Sequence, residues 1–314
     1  MRKLLWFILL PLLFLALLFI FLFPVEHSKS ISVAYTIQKS GEQLNNVPSL
    51  KKWFIPFAGN PQTQLIDENK LQGMKVGDYK LILEDIRYSS SLLKFQKNDQ
   101  SLQCLLSAEV DTAENYGTLI NLYYKTTYWQ QWFSKAGLIE TLHQSFDNLK
   151  EYMFDTKAFY GYLIERDKVV DTSVLFKKVT VPLDQKRAAT KKVFEELIKY
   201  AELKDAGYNG TRMIYTITSN NEINLFIGIG VTKFVENDTK ADIIYKRMPY
   251  QKNMLVATYQ GAYGDVGKAY NALEEFRKDY SLTNMAIPYQ KILSDGYDFA
   301  DDQIVQMKIY FPIY

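Results

Sequence analysis

The stretch Asn253–Tyr280, NMLVATYQGAYGDVGKAYNALEEFRKDY, sets two hydrophobic rhythms side by side. Residues Asn253 to Gln260 are uncharged and rich in strand formers, which reads as an extended segment. Asp265 is placed to cap a helix running to about Tyr280. Val266, Tyr270, Leu273 and Phe276 recur there at three- and four-residue steps, on one inner face. Tyr289–Leu293 and Ile304–Ile313 then read as strands. The same order stands upstream. Val174–Val181 is extended, and Asp184–Leu203 is a helix with Val193, Leu197 and Ala201 on one face and a stop at Gly207. Thr211–Thr218 and Ile223–Lys233 form a hairpin across Ser219-Asn220-Asn221. Phe159–Arg166 leads the half as a further strand. A β-α-β-β unit occurring twice implies a seam between two similar sheets, and seams are where pockets form.

Particular residues in this half carry a family resemblance. Thr258-Tyr259-Gln260-Gly261-Ala262-Tyr263, the helix Lys268–Phe276, Ile287-Pro288-Tyr289-Gln290-Lys291-Ile292 and Ile309-Tyr310-Phe311-Pro312-Ile313 resemble the gyrase-inhibitory-protein-like (GyrI-like) effector-binding family over residues 155–314. The resemblance implies a ligand cavity between the two copies, lined by aromatics, with a buried carboxylate facing cationic ligands. The carboxylate of the family's Pro-x-Glu-x-Tyr pattern falls on Gln290 here, and its tyrosine falls on Ile292. Glutamine offers only neutral donors and acceptors, so a neutral, largely apolar guest fits better than a cation. The expected ligand-binding residues are Gln290, Tyr263, Tyr310, Tyr215, Phe226 and Ile292, with Gln290 orienting the guest. Gln290 reads equally as a surface residue of a pocket without a ligand.

The first half has another order. Ser30–Gln38 alternates as a strand, and Gly41–Phe54 reads as a short helix closed by Pro56. Strand-like runs follow around 63–66, 79–86, 92–96, 102–110 and 118–128. A long helix from about Gln130 to Met153 carries Leu138, Leu142, Phe146, Leu149 and Met153 as one stripe. The order, and the segment Lys52-Trp53-Phe54-Ile55-Pro56-Phe57, resemble the helix-grip fold of the polyketide-cyclase and lipid-transfer (SRPBCC) superfamily, with Leu50 in that family's first Trp place. The resemblance implies an apolar ligand between sheet and helix, making Trp53 and Phe57 a second possible pocket. Their alternative is to plug the core.

At the amino terminus, Leu4–Phe23 is a run of 20 apolar residues behind Arg2 and Lys3, long enough as a helix to cross a bilayer. No small-x-small cleavage site follows it. An uncleaved anchor is therefore expected, with the first residues cytoplasmic and the rest extracytoplasmic. The expected fold class is α+β: a transmembrane anchor (1–29), a helix-grip domain (30–153) and a duplicated GyrI-like domain (155–314).

Composition removes several functions. The 37 Lys+Arg against 35 Asp+Glu give a charge of +2, which argues against a nucleic-acid binder built on phosphate contacts. One cysteine, Cys104, excludes an intrachain disulfide framework and Cys-rich zinc modules, and two histidines are too few for a His-based metal cluster. No cofactor is expected. Gly261, Gly264 and Gly267 fit no phosphate-loop spacing and read as a turn. Glu195-Glu196 and Glu274-Glu275 are adjacent on helices, so their side chains diverge; they read as solvated faces, as do Lys186-Arg187 and Lys191-Lys192. His143 lies off its helix's inner stripe, with no nucleophile that sequence can place beside it. The expected function is capture of a small molecule by a membrane-anchored sensor, carrier or scavenger. Hydrolysis of a small electrophile and protein interaction are the rival readings.

Overall fold

The computed structural model describes residues 14, 18, 21–68, 70–112, 117–170 and 173–313. The chain divides into two compact units, one ending at Asp155 and the other beginning at Thr156.

The expected membrane span is corrected. Among the described residues no helix is long and apolar enough to cross a membrane. Most of Leu4–Phe23 lies outside the described residues, and at its described end Phe21, Leu22 and Phe23 are exposed. Phe21 stacks on Trp129 with ring centroids 4.6 Å apart, and Pro24 already opens a strand. The single-pass topology, the cytoplasmic amino terminus and the extracytoplasmic placement rested on that span and are withdrawn with it.

The first unit is a seven-stranded antiparallel sheet. Its strands are β1 (Pro24–Val33), β2 (Gln64–Glu68), β3 (Leu71–Val76), β4 (Tyr79–Arg87), β5 (Ser90–Lys97), β6 (Gln100–Asp111) and β7 (Gly117–Thr127), in the spatial order β1-β7-β6-β5-β4-β3-β2. Strands β2 to β7 form a meander, and β1 returns to pair with β7 along its whole length. Two short helices, α1 (Ile37–Leu44) and α2 (Val47–Trp53), fill the connection after β1. They replace the single expected helix because Asn46 adopts an extended backbone and accepts the Ser49 N–H at 2.8 Å, starting a new helix. The long helix α3 (Ala136–Phe154) follows a π-helical turn at Gln130–Ser134 and buries Leu138, Leu142, Phe146, Leu149 and Met153.

The second unit is an eight-stranded antiparallel sheet with one short and two long helices. In chain order it runs α4 (Thr156–Tyr160), β8 (Ile164–Lys168), β9 (Ser173–Pro182), α5 (Lys186–Leu203), β10 (Tyr208–Ser219), β11 (Glu222–Val231), β12 (Ile244–Arg247), β13 (Asn253–Ala262), α6 (Val266–Asp279), β14 (Tyr289–Ile292) and β15 (Ile304–Pro312). The expected leading strand at 159–166 is thus part helix, and β8 begins only at Ile164. Spatial order is β12-β9-β11-β10-β14-β15-β13-β8. The copies β9-α5-β10-β11 and β13-α6-β14-β15 therefore lie as mirror sequences about the β10/β14 seam.

Register fixes what each face carries, because cross-strand partners share a side of the sheet. One row reads Lys177, Ile227, Ile214, Gln290, Ile309, Ala257, Ile164 across seven strands. This row faces the helices, since Lys177 reaches Glu196 of α5 at 2.6 Å. From Ile227 to Ile164 every member is buried, and Gln290 alone among them is polar.

Candidate functional site

The seam pairs only through Met213–Lys291 and Ile214–Gln290. Past that point β10 and β14 no longer pair, and the next residues, Tyr215 and Tyr289, have no cross-strand bond to each other. By register Tyr215 lies with Phe226 on the face away from the helices, yet its ring centroid is 6.0 Å from that of Tyr270 on α6. The rings meet through the opening. A cavity lies on each side of it, about 650 Å³ on the helix side and about 340 Å³ on the far side, and Tyr215 and Pro288 wall both. Both volumes fall within the range of about 300–1,000 Å³ usual for small-molecule sites.

The helix-side cavity is built around Gln290. This residue is 5% exposed, and its Oε1 has no hydrogen-bond partner among the described residues. The hydroxyl of Tyr270 is likewise buried, with the Gln290 carboxamide as its polar neighbour. Burial pushes the Tyr270 phenol far above its ordinary pKa, with the Gln290 carboxamide opposing the shift. Tyr263 is pushed up to about 12, chiefly by burial and further by Asp301. Both phenols are therefore neutral at physiological pH.

The cavity also has a charged rim. Lys186, at the start of α5, holds its ammonium 4.7 Å from the centre of the Tyr263 ring; burial lowers its pKa while Asp301 counteracts the change. Such a placement offers cation–π attraction in exchange for lost hydration. Glu274 is engaged elsewhere: Arg277 grips it through Nε at 2.8 Å and Nη2 at 2.6 Å, which holds its carboxyl below the ordinary range.

Three of the expected ligand residues, Gln290, Tyr263 and Tyr215, meet at the helix-side cavity. Phe226 joins Tyr215 on the far-side cavity instead. Tyr310 stacks flat on Tyr289 at 5.0 Å, on the face opposite Gln290, and lines neither. Ile292 follows Gln290 on the same face but is buried and also lines neither. Trp53 and Phe57 are fully buried in the first unit, their rings flanking Phe54 at 5.5 and 5.9 Å. The Trp53 indole donates to the Gln43 carbonyl at 3.0 Å, and its own carbonyl accepts from Asn148 of α3 at 2.6 Å. They act there as core. Sequence reasoning missed Tyr270, which helical spacing placed with the core, and Lys186, which read as solvated. Among the described residues no group of three or more His, Cys, Asp or Glu is disposed to hold a metal ion.

No protein-family model and no curated protein matches the chain. Solved structures do show similarity. The EcmrR C-terminal domain is 16% identical, with 49% of this chain and 98% of that one covered and a TM-score of 0.36. An uncharacterized conserved protein from Listeria innocua is 13% identical, covering 48% and 92%, at a TM-score of 0.35. SAV2435, whose structure is bound to tetraphenylphosphonium, is 15% identical, covering 48% and 93%, at 0.30.

Proposed function

We propose that the second unit, which begins at Thr156, is a GyrI-like binding module. It captures a small, neutral, largely apolar molecule in the helix-side cavity, as a sensor, carrier or scavenger does. The observation that carries this reading is the buried Oε1 of Gln290, without a hydrogen-bond partner among the described residues, at the centre of an otherwise aliphatic row. Leaving a polar group buried without a partner costs about 1–3 kcal/mol. A guest that donates a hydrogen bond to Gln290 recovers it. A neutral guest is favoured because the carboxylates that line the cavity already face cations of the chain, Glu274 against Arg277 and Asp301 against Lys186, which leaves Gln290 to meet the guest. Phenols that keep their protons and a Glu274 carboxylate gripped by Arg277 favour capture over turnover. The first unit we assign to the helix-grip class, on its order of strand, two short helices, meander and long helix.

Native mass spectrometry of the full chain, beside Gln290→Leu, tests the reading. A guest retained by the natural chain and lost from the variant is the expected result. Equal retention by both chains, or no guest in either after exposure to a cell extract, contradicts it.

A further inference from the structure

The far-side cavity is not explained by a neutral guest. Its walls are the rings of Phe176, Phe226 and Tyr289 and the flexible side chains of Met213, Met248 and Met285. Gly228 gives it a flat floor, because a Cβ there would meet Val174 Cγ1 at 2.8 Å. The mouth is cationic. Lys246 holds its ammonium 4.1 Å from the centre of the Phe176 ring, Lys178 stands 5.3 Å over Phe226, and Lys252 also lines the cavity. From Ile244 to Asn253 the chain reads IYKRMPYQKN, three cations and no carboxylate. Among the described residues no acidic side chain forms an ion pair with Lys178, Lys246 or Lys252.

We propose that this cavity is a separate site for an anionic amphiphile, a carboxylate with an unbranched or aromatic apolar body. The body would enter between the Phe and Met side chains, where burial of apolar surface yields about 25 cal/mol per Å² before association costs. The carboxylate would remain at the mouth, against Lys246 and Lys252. Methionine walls suit a variable chain because their three rotatable bonds let them refit. A cationic amphiphile of the same length meets the same lysines as repulsion.

The test uses the full chain with ¹³C-labelled methionine methyls, titrated with decanoate, decanol and decyltrimethylammonium. Decanoate should saturate, shifting Met213, Met248 and Met285 and leaving Met74 and Met153 of the first unit in place. Lys246→Gln with Lys252→Gln should weaken decanoate about three- to tenfold, since exposed ammonium–carboxylate pairs are individually weak. Added salt should weaken it too. Both lysines are exposed, and the unliganded methyl spectrum verifies that the variant is folded. Gln290→Leu should bind decanoate unchanged, which separates this site from the helix-side one. The proposal fails if decanol matches decanoate or decyltrimethylammonium binds as well. It fails equally if the lysine variant binds as tightly as the parent, if Met74 or Met153 shifts instead, or if nothing saturates.

Discussion

Gln290→Leu would complete the aliphatic row that runs from Ile227 to Ile164. Replacing a buried carboxamide whose Oε1 lacks a partner with an apolar group of similar size should stabilise the empty chain by about 1 kcal/mol. For a unit of this size that corresponds to a rise of about 2–4 °C in Tm, readable by scanning calorimetry. The same change should abolish guest retention, so stability and function move in opposite directions. A residue held for packing would lose stability instead. Trp53→Ala is the contrasting case. The side chain is fully buried and its N–H is bonded to Gln43, so its loss should destabilise the first unit by about 3–5 kcal/mol in a denaturant titration. A loss under 1 kcal/mol would mean that the indole is not part of the packed core.

Among the elements, the packing of α3 on β7 has its own signature. The Tyr124 hydroxyl and His143 Nε2 lie 2.9 Å apart, and His27, the cross-strand partner of Tyr124, stacks on the same phenol. Burial, the Lys29 ammonium and His27 lower the His143 pKa below its ordinary 6.5, against the pull of Asp147. The unfolded chain then binds the proton more readily than the folded one. Stability of the first unit is full above about 6.5 and falls as pH drops from there toward the lowered folded value. Denaturant midpoints at pH 7.5 and 5.5 should show the drop, and His143→Gln should flatten it. A midpoint that rises on acidification would contradict it.

The same elements indicate how far sequence could be read. The repeated β-α-β-β order was legible because helix and strand periods alternate cleanly along 174–313. The break at Asn46 was not, because a single capping side chain divided an otherwise helical run. Strand β12 escaped notice since four edge residues, mostly exposed, carry almost no alternation. The motif singled out Gln290, which lies buried at the seam. Tyr270 and Lys186 were not legible, since their roles depend on β10 and β14 parting beside them, a property of register between distant strands.

Considered across the molecule, the apolar run at Leu4–Phe23 met the length rule for a membrane span, yet its described end packs against Trp129 and yields to β1. Length and hydropathy do not register such partners. The two cavities, by contrast, arise from the duplication itself. Twin hairpins that meet along only two residue pairs leave their ends apart, and Tyr215 and Pro288 stand in the gap facing both sides. A crystal structure of the full chain, purified without detergent and after exposure to cell extract, measures the central claim most directly. The expected result is density for a guest in the helix-side cavity, with a donor atom within about 3.2 Å of Gln290 Oε1. Density showing Gln290 Oε1 bonded to the protein's own groups, in a cavity closed by its side chains, would contradict it.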